Sequence, residues 1–272
     1  MPLFILPFDH RSSFSKLIGF TYPTNRKGTR EAKAMKEVIF DGFLQARNQV
    51  ENKDQLAILV DEEFGTDILK KAKKKNIKFA QTVEKTSQEF FDFNYEDDFD
   101  KHLLRYKPEF AKALVRYNPN QHKANKIQNA KLKKLSDFCM KEDIKLIIEL
   151  LVQEDNKKEV LMRSIQQILK AGVEPSVWKL EGLPHVKDWI EMRRATYIPI
   201  IVLGRGSSKK KVDEWLSVAA KSNVVDGFAV GRTIFASVIS DYSNKKIARK
   251  VAVERIAKNY LHFIKLWEKS VK

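Results

Sequence analysis

Short apolar runs recur along the chain, and charged stretches separate them. Most of the runs lack strict alternation of apolar and polar residues, and Gly, Pro, Asp or Asn residues bound them. Parallel strands that are covered on both faces have this pattern. We therefore predict eight strands within Leu3–Asp9, Leu56–Asp61, Lys78–Lys85, Phe110–Asn118, Lys145–Val152, Val177–Gly182, Pro199–Gly206 and Val225–Arg232.

The stretches between the runs carry apolar residues at three- and four-residue spacing, which is typical of helices buried on one side. They include Thr29–Val50, Gly65–Lys75, Asn125–Asp143, Lys157–Ala171 and Lys209–Ala220. Strands that alternate with helices form parallel sheets, and eight such units close a (β/α)8 barrel. A doubly wound open sheet is the alternative. The sequence favours the barrel, because no G-x-G-x-x-G follows the first run and no G-x-x-x-x-G-K-[ST] occurs.

A single domain is predicted over residues 1–272, since 272 residues suit one barrel. No shift in composition and no Pro- or Ser-rich linker divides the sequence. The long gap between the first two runs predicts an extra loop, Gly19–Gly28, before the helix. After the eighth run, Asn244–Lys272 predicts an extended C-terminal helix.

Composition indicates a globular protein in a cytoplasmic setting. The chain is 43% hydrophobic and 32% charged, and Cys139 is its single cysteine, so the sequence offers neither a disulfide framework nor a cysteine metal site. The apolar start, MPLFILPFDHR, is too short for a secretory signal. No stretch approaches the roughly 20 apolar residues of a membrane helix, so no membrane contact is expected.

The formal net charge of +16 raises the question of nucleic-acid binding. The lysines cluster in Leu69–Lys78, Lys123–Lys145 and Asn244–Lys272, all of which are predicted to be outer faces of helices. Aromatic residues rarely alternate with these lysines, as a base-stacking surface would require. We therefore expect solvated helix faces and no nucleic-acid partner. Such a basic surface would still attract an anionic substrate.

Charged residues end nearly every predicted strand or lie inside it. They are Asp9, Arg11, Asp61–Glu63, Glu84, Lys85, Lys112, Arg116, Glu149, Lys179, Glu181, Arg205 and Arg232. The carboxyl ends of barrel strands meet at one mouth, where catalytic residues collect. Single members of the set could be structural ion pairs. The set as a whole predicts an active site.

Lys179 is the predicted nucleophile. Alternation along its strand should turn Trp178 toward the helices and Lys179 toward the barrel interior. An enclosed amine loses hydration, which favours its neutral form, and the neutral form attacks carbonyl groups. Lys112 is expected to disfavour the charge of Lys179 further. Glu149, within IIELL, is expected to pair with a lysine or to transfer protons.

Two Gly-Arg segments end the last two predicted strands, Arg205 with Gly206 and Gly231 with Arg232. Glycine lets backbone N–H groups approach an anion, and arginine matches phosphate with a fork of donors. These strand ends are the usual phosphate site of the barrel fold. We predict a phosphate site at these four residues, with Arg11 as a further ligand.

Metal-dependent chemistry is not expected. Asp61 and Glu63 can share one side of a strand and would offer two oxygen ligands to Mg²⁺. The histidines show no zinc-ligand spacing, and no G-x-S-x-G surrounds a serine. We expect neither a metal nor a cofactor.

Motifs along almost the whole chain resemble a known family. They are LFILPFDHR, ILVDEEFG, VEKTSQEFFDFNY, ALVRYNP, LSDFCMKEDIKLIIELLV, AGVEPSVWKLEG, IIVLGRG and GFAVGRTIF. They resemble the aldolase-like domain at the C-terminus of bacterial 5-dehydro-2-deoxygluconokinase fusion proteins, described as 2-deoxy-5-keto-gluconate-6-phosphate aldolase type. More distantly, they are similar to class I tagatose-1,6-bisphosphate aldolases, which are (β/α)8 barrels.

The resemblance implies roles for individual residues. Lys179 in WKLEG matches the Schiff-base lysine of that wider group, and Glu149 in IELL matches its acid/base glutamate. Lys112 in AKALVRYN matches the second lysine, and Asp9 in FDHR matches the strand-one aspartate. The Gly231–Arg232 pair resembles the phosphate motif.

The implied reaction is cleavage of 2-deoxy-5-keto-gluconate 6-phosphate to dihydroxyacetone phosphate and malonate semialdehyde, a step of myo-inositol catabolism. More broadly, the substrate would be a phosphorylated keto sugar acid or ketose phosphate. The alternative is a barrel without catalytic activity that binds a sugar phosphate or a protein partner. A homo-oligomer is compatible with the sequence.

Overall fold

The structure is a computed structural model that describes residues 1–153 and 156–271. Eight parallel strands form a closed barrel, in which consecutive strands pair and β8 returns to pair with β1. The strands are β1 (Leu3–Pro7), β2 (Leu56–Val60), β3 (Lys78–Thr82), β4 (Phe110–Arg116), β5 (Lys145–Leu151), β6 (Val177–Glu181), β7 (Ile200–Leu203) and β8 (Gly227–Ala229). The predicted (β/α)8 barrel is confirmed, and the open sheet is wrong.

Helices follow the strands and surround the barrel. They are α1 (Ser12–Leu17), α2 (Arg26–Arg47), α3 (Glu62–Lys74), α4 (Phe99–Tyr106), α5 (His122–Lys141), α6 (Lys157–Lys170), α7 (Val186–Ala195), α8 (Lys209–Lys221), α9 (Arg232–Ser243) and α10 (Arg249–Val271). The predicted helical stretches correspond to α2, α3, α5, α6 and α8. The remaining barrel helices are mostly short, so they carry a weaker periodic signal.

Several helices begin at polar residues that closely follow a strand. The carboxylate of Asp61, directly after β2, accepts a hydrogen bond from the backbone N–H of Phe64 at 2.8 Å and starts α3. The hydroxyl of Ser208 accepts from the backbone N–H of Lys211 and starts α8, as expected for a helix-capping serine. These caps fix the direction in which the chain leaves the mouth of the barrel.

Two apolar layers hold the barrel together. The inner layer consists of side chains that point into the barrel: Ile5, Ala57, Leu59, Ala80, Phe110, Ile147, Val177, Ile201 and Ala229. The outer layer lies between strands and helices and contains residues that alternate with these, such as Trp178 and Leu180. This alternation decides which strand residues can reach the interior. The inner layer fills the barrel below the mouth, and polar side chains replace it above.

The C-terminal helix α10 packs against α2 and α8 and covers the outer side of β1 and β8. Its Tyr260 hydroxyl donates a hydrogen bond to the carbonyl of Phe4 at 2.7 Å, and Trp267 meets the Phe4 ring edge-on at 6.2 Å. The predicted C-terminal helix is confirmed, while Lys272 lies outside the described residues. None of the helices in the described part of the chain is both long and apolar enough to cross a membrane.

Candidate active site

A cavity of about 1010 Å³ opens at the carboxyl ends of the strands. Of the nine residues given catalytic or phosphate-binding roles from the sequence, seven line it: Asp9, Arg11, Lys112, Glu149, Lys179, Arg205 and Arg232. They lie within or shortly after six different strands, which the closed barrel arranges around one mouth.

Lys179 lies in the middle of β6, and its side chain is only 5% exposed. Glu149 is its register partner on β5, and the distance from Lys179 Nζ to Glu149 Oε2 is 2.9 Å. Trp178, the preceding residue, faces outward, where its Nε1 donates to the hydroxyl of Thr196 at 3.2 Å. The structure thus places Lys179 where the alternation predicts, and its chemical role stays a prediction.

Lys112 on β4 is enclosed by three carboxylates. Its Nζ lies 3.0 Å from Asp9 Oδ2, 2.7 Å from Glu84 Oε1 and 2.8 Å from Glu149 Oε2. Burial opposes the charge of this amine, but the three carboxylates outweigh burial and raise the pKa of Lys112 well above its ordinary value. Lys112 is therefore a fixed cation at neutral pH.

The same lysines keep two buried carboxylates ionised. Burial alone would raise the pKa of Glu149, but the charges of Lys112 and Lys179 lower it to about 2. Burial also opposes the charge of Asp9, and Lys112 is the main group that holds the pKa of Asp9 far below its ordinary value. Both side chains can therefore accept protons at neutral pH.

One oxygen of Glu149 contacts both amines, since its Oε2 lies 2.8 Å from Lys112 Nζ and 2.9 Å from Lys179 Nζ. The sequence predicts repulsion between the two lysines, and the structure places a negative oxygen between them. Any effect of Lys112 on Lys179 is therefore exerted in the presence of this shared carboxylate. The cluster holds an enclosed amine, a proton acceptor beside it and a second cation, which together suit addition to a carbonyl group.

The two Gly-Arg segments lie side by side at the mouth. Arg205 lines the cavity and forms an ion pair with the buried Glu181, and Arg232 donates from Nη2 to the carbonyl of Arg205 at 2.8 Å. Gly206 has φ +76°, and a Cβ on Gly231 would lie only 2.1 Å from the Pro7 carbonyl oxygen. Arg205 and Arg232 thus line the cavity. Gly206 and Gly231 allow the backbone to turn and to pack closely beside the two arginines.

Arg11 is engaged more fully than a free phosphate ligand would be. It is 5% exposed, and its guanidinium donates to Asn94 Oδ1 at 2.8 Å and to the carbonyl of Glu84. Asn94 and Glu84 belong to the connection after β3, so Arg11 joins that connection to the end of β1. Its predicted contact with phosphate depends on its remaining N–H groups.

Asp61 and Glu63 do not share a site. Asp61 forms a buried ion pair with Lys36 of α2 and starts α3, whereas Glu63 accepts a hydrogen bond from the Tyr22 hydroxyl at 2.8 Å. The Mg²⁺ arrangement considered for these two carboxylates is therefore wrong. Within residues 1–153 and 156–271, no group of three or more His, Cys, Asp and Glu side chains is arranged to hold a metal ion.

Two residues at the site were given no role on sequence grounds. Glu84 contacts Lys112 and is 8% exposed, and its Oε2 has no hydrogen-bond partner among residues 1–153 and 156–271. His10 lines the cavity with Nδ1 3.8 Å from Asp9, and burial is the main cause that lowers the pKa of His10 to about 4. Both follow a strand as Asp9 does, which is the signal that marks them.

A family model described as "Uncharacterized protein conserved in bacteria (DUF2090)" matches residues 1–271. The chain is a member of the DUF2090 family. No curated protein sequence matches the chain. The family assignment therefore carries no activity with it.

Several solved structures share the fold of this DUF2090 member. Cgl0159 from Corynebacterium glutamicum is 15% identical with a TM-score of 0.62, over 95% of this chain and 85% of that one. A Schiff-base-forming fructose-1,6-bisphosphate aldolase is 12% identical with a TM-score of 0.57, over 91% and 94%. The YdjI aldolase from Escherichia coli K12 is 10% identical with a TM-score of 0.55, over 98% and 91%. At these identities the likeness shows the barrel fold.

Proposed function

We propose that this DUF2090 barrel is a class I aldolase that forms a Schiff base through Lys179. The observation that carries the proposal is the enclosed amine of Lys179, 2.9 Å from the carboxylate of Glu149, in the wall of an open cavity. An amine with an adjacent proton acceptor is the arrangement that nucleophilic attack on a ketone requires. The shared fold of a Schiff-base-forming aldolase supports this proposal.

Schiff-base formation uses Lys179 and Glu149. In the ion pair, Glu149 Oε2 first takes a proton from the ammonium of Lys179 through the short contact, and the neutral amine adds to the substrate ketone. A proton then moves from the nitrogen to the former ketone oxygen and gives the carbinolamine. Glu149 returns its proton to the hydroxyl of the carbinolamine, which leaves as water. An iminium remains on Lys179, and Lys112 stays charged beside it.

Carbon–carbon cleavage follows from the iminium, which accepts the electron pair of the breaking bond. Glu149, assisted by Asp9, removes the proton of the hydroxyl at the β-carbon, so that this carbon leaves as an aldehyde. The electron pair forms an enamine on Lys179. Protonation of the enamine and addition of water then release the ketone product and restore the amine.

The proposed substrate is a phosphorylated keto sugar acid or ketose phosphate. Arg205 and Arg232, with the backbone at Gly206 and Gly231, would bind its phosphate at the ends of β7 and β8. The sequence motifs support 2-deoxy-5-keto-gluconate 6-phosphate, with dihydroxyacetone phosphate and malonate semialdehyde as products. Neither a metal nor a cofactor takes part in these steps.

Borohydride trapping tests the proposal, because borohydride reduces an iminium to a stable secondary amine. Incubation with dihydroxyacetone phosphate and borohydride should add the ligand's mass to the peptide that contains Lys179. Lys179→Arg should abolish the labelling, because a guanidinium stays protonated and cannot attack a carbonyl. Lys85→Arg is the matched control, since Lys85 lines the same cavity but is 31% exposed and paired with Asp92 and Glu96.

The result can fail in two informative ways. Labelling at Lys112 or Lys85 instead would move the nucleophile to another strand. No labelling with any ketose phosphate, combined with activity that chelators abolish, would exclude the class I mechanism. Binding of dihydroxyacetone phosphate without labelling and without turnover would favour the barrel that only binds a sugar phosphate.

A further inference from the structure

Charge is segregated by depth in the cavity. The deep carboxylates Asp9, Glu84 and Glu149 all contact Lys112, and Glu149 also contacts Lys179, so their negative charge is largely compensated within the cluster. Around the mouth of the cavity, the side chains that the structure describes form a basic rim, with Glu89 as the one acidic residue among them. The basic residues of the rim are Lys16, Lys85, Arg116, Arg205 and Arg232.

The closed barrel order places these rim charges on opposite sides. Arg116 ends β4, whereas Arg232 begins α9, three residues after the end of β8. In the cyclic order β4 lies four strands from β8 in either direction, so the two arginines face each other across the mouth. Lys179 on β6 is two strands from each. A ligand that extends from Arg232 to Arg116 therefore crosses the proposed nucleophile.

Arg116 is available to bind a ligand. Its Nη1 donates to the carbonyl of Gln88 at 2.9 Å, and within residues 1–153 and 156–271 no carboxylate lies within 4.0 Å of its guanidinium. By contrast, Lys85 on the same side is paired with Asp92 at 3.6 Å and Glu96 at 3.3 Å. A guanidinium with free donors at the edge of a cavity binds planar oxyanions with two parallel hydrogen bonds.

The cavity is also large for a triose phosphate. Its volume of about 1010 Å³ lies at the upper end of the range of roughly 300–1,000 Å³ for small-molecule pockets. A ligand of three carbons held at Arg205 and Arg232 would leave the side of β3 and β4 empty. The unfilled space therefore lies on the same side of the cavity as Arg116.

We propose that Arg116 forms a second oxyanion subsite, which binds the anionic group at the end of the substrate opposite its phosphate. The placement of the first oxyanion at Arg205 and Arg232 and of the reacting carbon at Lys179 rests on the proposed function. The chemistry at Arg116 is that of a carboxylate or a phosphate, since both present paired oxygens to a guanidinium. This subsite sets the specificity for the part of the substrate that leaves as the aldehyde.

Three phosphorylated six-carbon ligands test the subsite by calorimetry at fixed ionic strength. Gluconate 6-phosphate carries a distal carboxylate, glucitol 1,6-bisphosphate carries a distal phosphate, and glucitol 6-phosphate carries a neutral hydroxyl. The native protein should bind at least one of the doubly anionic ligands about ten-fold or more tightly than glucitol 6-phosphate, the smallest effect of a charge-assisted hydrogen bond. The doubly anionic ligand with the higher affinity shows whether the subsite prefers a carboxylate or a phosphate.

Arg116→Gln should remove this preference while leaving the affinity for glucitol 6-phosphate within about two-fold, and Arg116→Lys should retain part of it. Arg194→Gln is the matched control, because Arg194 is exposed on α7 away from the cavity lining and its loss changes the net charge equally. A preference that survives in Arg116→Gln, or is lost equally in Arg194→Gln, overturns the proposal. So does failure of all three ligands to bind the native protein.

Borohydride trapping separates this proposal from the proposed function. If Arg116→Gln abolishes the preference but Lys179 is not labelled by dihydroxyacetone phosphate, the second subsite stands and the aldolase mechanism fails. If Lys179 is labelled but the preference does not depend on Arg116, the aldolase stands and the second subsite fails.

Discussion

Two buried lysines show how differently this barrel uses an interior cation. Lys36 of α2 is fully buried, has Asp61 as its one ion-pair partner within the described part of the chain, and lies 5.3 Å from the ring centres of both Phe14 and Phe64. Lys112 is 2% exposed and contacts three carboxylates. Burial lowers the pKa of Lys36 and Asp61 only partly offsets it, whereas the carboxylates raise the pKa of Lys112.

The difference lies in where each group can be reached. Lys36 is buried between α2 and α3 among aromatic rings, and it does not line the cavity. Its ion pair with Asp61 therefore holds α2 against the start of α3. Lys112 lies in the cavity wall, and its carboxylates also contact or surround Lys179. A buried charge thus indicates a functional site when it borders a cavity and has more than one partner of opposite charge.

The largest expected effect is on catalysis at the Lys112 cluster. Glu149→Gln keeps the shape of the side chain but removes proton transfer, so kcat should fall by roughly 10²- to 10⁴-fold while the protein stays folded. Glu89→Gln, on the exposed rim, is the control and should change kcat little. Circular dichroism and steady-state kinetics measure both. An insoluble or unfolded Glu149→Gln protein would instead indicate a structural ion pair.

The Lys36 pair should affect stability and not chemistry. Lys36→Met leaves Asp61 buried without its partner, so the free energy of unfolding should fall by about 3–5 kcal/mol. Adding Asp61→Asn removes the unpaired charge and should recover part of this loss. Denaturant titration measures the change, and kcat of the folded protein should remain near the native value. A large loss of kcat in folded Lys36→Met protein would contradict the comparison.

Phosphate binding at the rim should show a smaller effect. Arg232→Ala should raise KM for a phosphorylated substrate by roughly 10- to 150-fold, which corresponds to about 1.5–3 kcal/mol for a charge-assisted hydrogen bond. Arg232→Lys keeps the charge and separates it from the loss of the guanidinium fork. The phosphate assignment is wrong if Arg232→Ala leaves both KM and kcat/KM unchanged.

The smallest expected effect is on how the free energy of unfolding changes with pH in acid. The pKa of Glu149 is lowered from 4.5 to about 2, so in this window the folded protein binds fewer protons than the unfolded chain. Its contribution, on the order of 1–3 kcal/mol, is therefore present above pH 4.5 and lost as pH falls toward 2. Denaturant titrations at several pH values across this range measure the free energy of unfolding. It should change less with pH in Glu149→Gln than in the native protein.

The sequence predicts the parts of the site that depend on strand parity. Lys112, Glu149 and Lys179 lie at interior positions of neighbouring strands, and Asp9 is the second residue after β1, so the closure of the barrel brings them together. Gly-Arg segments at the last strands follow from the same rule. The barrel fold is likewise contained in the order of apolar runs and helical stretches.

Partner choice among strand-end carboxylates could not be predicted. Asp61, which starts α3, pairs with Lys36, which reaches it because α2 packs against α3. Glu84 reaches Lys112 because the chain after β3 folds back and Arg11 holds its carbonyl. Both outcomes depend on how loops and helices pack, and hydrophobic periodicity along the chain carries no information on that packing.

The pairing of β8 with β1 has a consequence for how the molecule is made. The backbone N–H of Leu3 donates a hydrogen bond to the carbonyl of Asp226 at 2.7 Å. The carbonyl of Phe4 accepts one from the hydroxyl of Tyr260, 256 residues later in the chain. The seam can therefore close only after nearly the whole described chain has been synthesised. Until then β1 presents an unpaired edge to other nascent chains. Variants that weaken the seam should lower the yield of soluble protein during expression more than they lower its equilibrium stability.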